Sequence, residues 1–315
     1  MKKFLLISLS IILVLTVILG LDMFVIEPNL LITKYQKIYV PNWDKNIDGF
    51  KIAIVTDIHL GTKFSDLKKL GKIANIINKK QPDLTVFLGD LDAKSIKYSG
   101  YKKDEIAEVL KKFNSKHGSI AIMGNHDYYP PDIVPQIYKI AQIPLLEHQD
   151  LFIHQNNIPI RIVGFKDLWH FKSTPINVIG TKYKNTPTIV LAHNPDSFAD
   201  MPNFVSLTLS GHTHGGEIVL PVIGSFVVPS EYGQRYRKGY IVENNKHLYV
   251  SGGIATTGRA RFLNLPEIAI LEIHSQTYEN KISDTKPLKG IKENYAPILI
   301  PKIRRFTGKY RNFNI

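Results

Sequence analysis

The chain begins with an unbroken apolar stretch. After Lys2 and Lys3 comes FLLISLSIILVLTVILGL, residues 4–21, without a single charge. A helix of that length rises about 27 Å, close to the hydrocarbon thickness of a bilayer. A cleaved signal sequence is the rival, but its apolar region usually runs about 7–15 residues, and no small-x-small cleavage site follows here. The pattern predicts a single-pass N-terminal anchor over residues 1–21 and a connector over 22–50. Lys2 and Lys3 flank one end; Lys34 and Lys37, with Asp22 and Glu27, flank the other. The positive-inside rule then leans slightly towards an exported body.

Beyond residue 50 the pattern changes period. Short runs rich in Ile, Val and Leu end abruptly in polar residues: KIAIVTD (51–57), LTVFLGD (84–90), SIAIMGN (119–125), TIVLAH (188–193) and VSLTLSGH (205–212). Near-continuous apolar runs of this length are strands buried on both faces. Between the first two, Leu67, Leu70, Ile73, Ile76 and Ile77 recur at helical spacing; between the next two, Ile106, Val109, Leu110 and Phe113 do the same. Strand–helix–strand alternation implies parallel crossovers and an α/β sheet covered by helices. EIVLPVIGSFVVPS, GYIVEN, LYVSGGI and EIAILEI in the last third predict further strands, some antiparallel, completing a second sheet. The body is thus bounded at 51–275, with a tail over 276–315.

Composition adds three constraints. With 44% hydrophobic and 21% charged residues, the chain can bury a proper core. It contains no cysteine, so any metal must be held by nitrogen and oxygen donors. A formal charge of +13 points to an anionic partner, and eight Lys/Arg against Glu293 alone lie between Lys286 and Ile315. No nucleic-acid recognition motif accompanies that charge, so nucleic acid is not expected. A phospholipid membrane and a phosphate-bearing substrate are.

Each buried-strand candidate ends in a potential metal ligand. Asp57 and His59 follow the first, Asp90 the second, and Asn125, His126 and Asp127 the third. His193 follows the TIVLAH run, and the last leads into His212 and His214 within SGHTHGGE. The carboxyl ends of parallel strands share one edge, where ligands bind, so these distant residues converge on one crevice. Carboxylate and imidazole donors without thiolates suit Mn, Fe, Co or Zn. Two such cations would outweigh Asp57 and Asp90, favour a phosphate group, and bring the pKa of bound water from 15.7 towards about 7. Glycines around His212 and His214 free the backbone to aim both rings. The lone D-x-H, GD or H-x-H is weak; the ordered set at strand ends is not.

DxH, GD, GNHD, H and GHTH in this order resemble the calcineurin-like metallophosphoesterase superfamily over about residues 50–275. GHTHGGEIVLP and SGGIATTGRARFLNLPEI are similar to its membrane-associated bacterial branch, some members of which hydrolyse the pyrophosphate of UDP-2,3-diacylglucosamine in lipid A synthesis. The resemblance implies a four-layer αββα sandwich of two mixed β-sheets. It also implies one metal on Asp57, His59 and His214, a second on Asn125, His193 and His212, and Asp90 bridging them. His126 would face the scissile phosphate, with Asp127 orienting its ring. Many relatives carry a further acid three positions past the bridging Asp, where this chain has Ala93; Asp92 sits one place earlier, outside the ligand set. Arg259 and Arg261 are candidates for phosphate contacts or for bracing the fold. Trp169 and His170 are candidates for a wall over the site or for simple packing. His117, His148 and His247 are expected in solvent.

These features predict a membrane-anchored dimetal phosphoester hydrolase acting on a lipid-linked phosphodiester or pyrophosphate. A cytosolic body favours UDP-2,3-diacylglucosamine, and an exported one a cell-envelope phosphodiester or phospholipid. The competing class is a non-catalytic scaffold that keeps the fold for binding, which should have lost ligands that this chain retains.

Overall fold

The computed structural model describes residues 1–257, 260–277, 279–280 and 283–285. Arg259 and the basic run from Lys286 onward therefore lie outside the described residues. Two mixed sheets stack face to face. The first has strand order β1 (Ile32–Val40), β13 (Glu267–Ser275), β2 (Phe50–Val55), β3 (Leu84–Phe87) and β4 (Ser119–Ala121). The second runs β11 (Gly239–Glu243), β12 (Lys246–Val250), β8 (Leu207–Ser210), β7 (Thr188–Leu191), β6 (Ile158–Gly164) and β5 (Gln149–Gln155). β2, β3 and β4 are parallel, as are β6, β7 and β8, so both parallel sets deliver their carboxyl ends to one side of the sandwich.

Helices α2 (Leu67–Asn78), α4 (Lys103–Leu110) and α5 (Ile133–Ala141) cover the outer face of the first sheet. α2 starts where the Asp66 carboxylate accepts from the Lys69 amide, and its buried stripe of Leu70, Ile73, Ala74 and Ile77 packs on that sheet. Between the sheets lie Ile52, Ile54, Leu84, Val86, Ile189, Leu209 and Leu271, all at 0% exposure. Outside the second sheet the layer is thinner. There the five-residue α6 (Pro175–Ile179) and the turn carrying Phe198 cover Val163, Val190 and Val250.

The connector expected over 22–50 is partly built into the body, because β1 pairs with β13 along its whole length. EIVLPVIGSFVVPS, expected among the strands of the second sheet, instead makes a separate two-stranded hairpin, β9 (Val219–Leu220) and β10 (Gly224–Ser225). EIAILEI joins the first sheet as β13, between β1 and β2.

Helix α1 (Lys2–Leu21) continues through a π turn and a 3₁₀ turn, so the chain is helical from Lys2 to Asn29. No residue of α1 is buried, and its length and composition suffice to cross a membrane. Its end is docked. The Met23 carbonyl accepts from the Arg261 amide (2.9 Å), and the buried Glu27 carboxylate accepts from the amides of Leu263 (2.7 Å) and Asn264 (3.2 Å).

Leu271 sits in the middle of the inter-sheet core. Leu271→Ala is expected to cost about 2–5 kcal/mol through lost burial and a residual cavity. Urea unfolding should show this as a lower midpoint at unchanged slope, and an unchanged midpoint would contradict the packing described.

Candidate metal centre

Asp57, Asp90 and Asn125 follow β2, β3 and β4, while His193 and His212 follow β7 and β8. The loops interlock through backbone bonds: the Asp57 amide donates to the Gly89 carbonyl (3.1 Å) and the His59 amide to that of Asp90 (3.0 Å). Close approach demands glycine at two points. A Cβ on Gly124 would lie 2.3 Å from Asp90 Oδ1, and one on Gly211 would lie 2.1 Å from Thr56 Oγ1. Asp57, His59, Asp90, His212 and His214 all adopt left-handed backbone, with φ between 42° and 70°. Each such residue costs about 1–2 kcal/mol. A concentration of strained non-glycine residues in one crevice marks a place where geometry is dictated by something other than local comfort.

Among the described residues donor atoms converge in three groups; two share Asp90, and the third joins His59, Asp92 and the exposed His126. Asp57, His59, Asp90 and His214 each present a donor within 4.8 Å of the others, and so do Asp90, His193 and His212. All of these residues are buried. Asp90 Oδ2 lies 3.3 Å from His193 Nε2 and 3.6 Å from His59 Nε2; Asp57 Oδ1 lies 3.5 Å from His214 Nε2. Asn125 Oδ1 lies 3.2 Å from His193 Nε2.

The outer partners fix which nitrogen faces inward. A carbonyl can only accept, so His193 Nδ1 donates to Leu88 O (2.7 Å) and His214 Nδ1 to Ala255 O (3.1 Å). His59 Nδ1 is held by Asp92 Oδ2 (3.1 Å). The second ring nitrogens then face the crevice: His59 Nε2 and His214 Nε2 stand 3.3 Å apart, and the buried His212 Nε2 has no hydrogen-bond partner among the described residues. Converging ring nitrogens, one of them orphaned, suit cations, and the donor set fits them.

The electrostatics agree. Burial opposes the charge of Asp90, but the imidazoles of His193, His59 and His126 prevail and hold its carboxylate well below the usual range. Burial likewise opposes charge on His193, yet the carboxylates of Asp90 and Asp57 push it up to about 10. Burial opposes charge on His59 too, but its bond to Asp92 and the charges of Asp90, Asp57 and Asp92 together raise it. His212 is held well below its ordinary value by burial and then by the charge of His193; burial also lowers His214.

Several surrounding residues depart from the sequence-based expectation. Asp127, expected beside the His126 ring, makes its hydrogen bonds among the described residues to backbone amides. Its carboxylate accepts from the amides of Asp90 (2.8 Å), Asp92 (2.8 Å) and Gly124 (2.9 Å), bracing the loop that carries Asp90. Burial and the Asp90 charge push it up to about 7. Asp92, left outside the ligand set, caps α3 (Ala93–Ser99) through the Ser95 amide (3.0 Å) while its other oxygen orients His59. The Asp-x-x-Ser pattern signals the cap but not the imidazole.

Arg261 is fully buried rather than presented to a phosphate. Its guanidinium donates to the carbonyls of Gly252 (2.8 Å), Ala255 (2.6 Å), Asn264 (3.1 Å) and His214 (3.4 Å), locking the loop beneath His214. His247 is buried too, beside the Tyr240 hydroxyl (2.5 Å), and burial lowers it to about 4. Of the two possibilities for Trp169, the structure shows the wall. Its ring stands edge-on to His212, with centroids 4.5 Å apart, while 55% of the residue remains exposed. His170 Nε2 donates to the Asn125 carbonyl (3.1 Å). His126 lies exposed at the mouth, its ring centroid 5.0 Å from that of His59, with its amide held by Asp90 Oδ1 (2.9 Å).

The chain belongs to the calcineurin-like phosphoesterase family, whose model matches residues 50–216. It is 30% identical over 256 residues to the uncharacterized metallophosphoesterase YkuE of Bacillus subtilis, covering 79% of this chain and 88% of that protein. It is 30% identical over 235 residues to the phosphodiesterase YaeI of Escherichia coli, covering 72% and 83%. Similarity extends over 304 residues at 28% identity to the UDP-2,3-diacylglucosamine pyrophosphatase LpxG of Chlamydia trachomatis, covering 78% and 90%. Membership and the intact donor set make the chain a metal-dependent phosphoester hydrolase and set the non-catalytic scaffold aside.

Cation binding requires a free imidazole nitrogen. His193 holds its proton up to about 10, so uptake displaces that proton and tightens as pH rises through neutrality. Calorimetric titration of the full chain with zinc or manganese should show apparent affinity rising by up to about tenfold per pH unit between about pH 6 and 9. An affinity independent of pH would exclude His193 as a donor.

Proposed function

We propose that the protein is a membrane-anchored dimetal phosphodiesterase or pyrophosphatase acting on a lipid-linked substrate. The observation that carries this reading is the sharing of Asp90 between two buried donor groups. Asp57, His59 and His214 would hold one cation and Asn125, His193 and His212 the other, with Asp90 available to both. When bound, the pair supplies charge neutralisation for the phosphate and acidifies water for attack on phosphorus. Metal identity among Mn, Fe, Zn and Co is left to experiment.

The protein's own groups divide the remaining work. His126, at the mouth, donates a proton to the leaving oxygen as the P–O bond breaks. Its amide bond to Asp90 ties its position to the bridging carboxylate, so substrate and proton donor share one frame. Asp127 keeps that frame by holding the amides of Asp90, Asp92 and Gly124. Arg261 acts indirectly, fixing the carbonyls around His214. Trp169 forms an apolar wall over His212.

A lipid-linked substrate is supported by the exposed apolar helix and by the likeness to LpxG, a pyrophosphatase named for a diacylated sugar nucleotide. A cell-envelope phosphodiester is the second reading, favoured by Lys2 and Lys3 at the start of the span, which lean towards an exported body. A reporter fused after Ile315, active on only one side of the membrane, separates them.

Full-length enzyme stripped by chelator and reloaded with Mn, Zn or Mg is expected to regain hydrolysis of bis(p-nitrophenyl) phosphate and of a lipid-linked pyrophosphate. His126→Ala should retain its metal, measured by mass spectrometry, while turnover falls about 10²-fold or more. Full turnover in that variant would remove His126 from the mechanism.

A further inference from the structure

A second apolar surface lies beside the docked end of the N-terminal helix, and none of the described residues covers it. Val222 at the tip of the β9–β10 hairpin is 99% exposed, Phe226 67%, Val227 63%, Leu263 55% and Ile223 44%. Val222 also adopts left-handed backbone at φ 70°, a conformation that β-branched residues avoid. Packing among the described residues accounts for neither the exposure nor the strain.

Its place in the fold says what covers it. The base of the hairpin pairs with Phe262 through an Ile218 bridge, and the Val219 amide donates to the Phe262 carbonyl (2.9 Å). The neighbouring Arg261 and Leu263 amides donate to Met23 and Glu27 at the end of the helix. Exposed Phe24, Val25 and Ile26 continue the apolar surface onto the helix itself. An open recess of about 480 Å³ lies at this junction, lined by Glu27, Arg237 and Lys238 together with Ile32, Leu263 and Leu265, with Lys238 paired to Glu267 (2.8 Å). Apolar side chains rimmed by polar groups match the level at which phospholipid headgroups meet acyl chains.

We infer that the 219–228 hairpin and Leu263 enter the near leaflet of the phospholipid bilayer beside the anchor, forming a lip that holds the rim of the metal centre at the membrane surface. The link to the centre is short. Ser225 Oγ donates to the Gly216 carbonyl (2.5 Å), two residues from His214, so the segment touching lipid is tied to the loop bearing a proposed ligand. A lipid-linked phosphate then meets the centre without leaving the bilayer. This inference rests on residues 2–29 spanning the membrane, and the test separates the two.

Because the chain has no cysteine, each introduced thiol is unique. V222C, F226C, L13C in α1 and F152C on edge strand β5 are labelled with an environment-sensitive dye in the full chain. Each is reconstituted into phosphatidylcholine–phosphatidylglycerol vesicles containing nitroxide-bearing lipids. V222C and F226C should be quenched about as strongly as L13C, by roughly twofold or more, while F152C is not. Quenching at L13C alone overturns the inference and leaves the anchor intact; absence of quenching at L13C overturns both. Retained turnover of bis(p-nitrophenyl) phosphate in each labelled chain certifies its fold, and F226C decides the matter if V222C does not fold.

Discussion

A carboxylate buried to 1% exposure must be answered by positive charge, and Asp90 sets the terms for everything around it. Its side chain faces the imidazoles of His59 and His193 while one oxygen holds the His126 amide. Its own amide is held by Asp127, itself buried and bonded to three backbone amides. Removing water from so many polar groups is tolerable only because each oxygen and nitrogen has a defined partner or a cation to receive. The crevice is therefore less a cleft with ligands added than a charge network around which two sheets are closed.

That network explains the strain. Five of its residues sit in left-handed backbone, a combined cost large against the marginal stability of a domain. The sheets supply the compensation. Parallel strands buried on both faces fix where each loop begins, and bonds such as Gly211 N to His193 O stitch the loops of neighbouring strands together. The loops cannot relax without breaking ladders that the inter-sheet core holds in place.

Much of this was legible in the chain because buried parallel strands are written as apolar runs, and each ends where a polar residue must begin. Asp57, Asp90, Asn125, His193 and His212 announce themselves that way. β1 did not, since its partner β13 lies at the far end of the sequence and ITKYQKIYV, half exposed, carries no buried-strand signature. The tasks of Asp92, Asp127 and Arg261 were equally hidden. A carboxylate serves an amide as readily as an imidazole, and a guanidinium serves a carbonyl as readily as a phosphate. Only the neighbours in space decide between them.

The helix runs from Lys2 through a π turn and a 3₁₀ turn to Asn29, and its last turns are bonded directly to the segment that braces His214. Were that helix to cross a bilayer, as proposed, there would be no tether to swing on. The catalytic rim would be carried like a fixture on a mast, at one height and one tilt, and its search for substrate would become lateral diffusion in two dimensions. Molecules dissolved above that plane would be met only by chance, while those embedded in it would be met repeatedly.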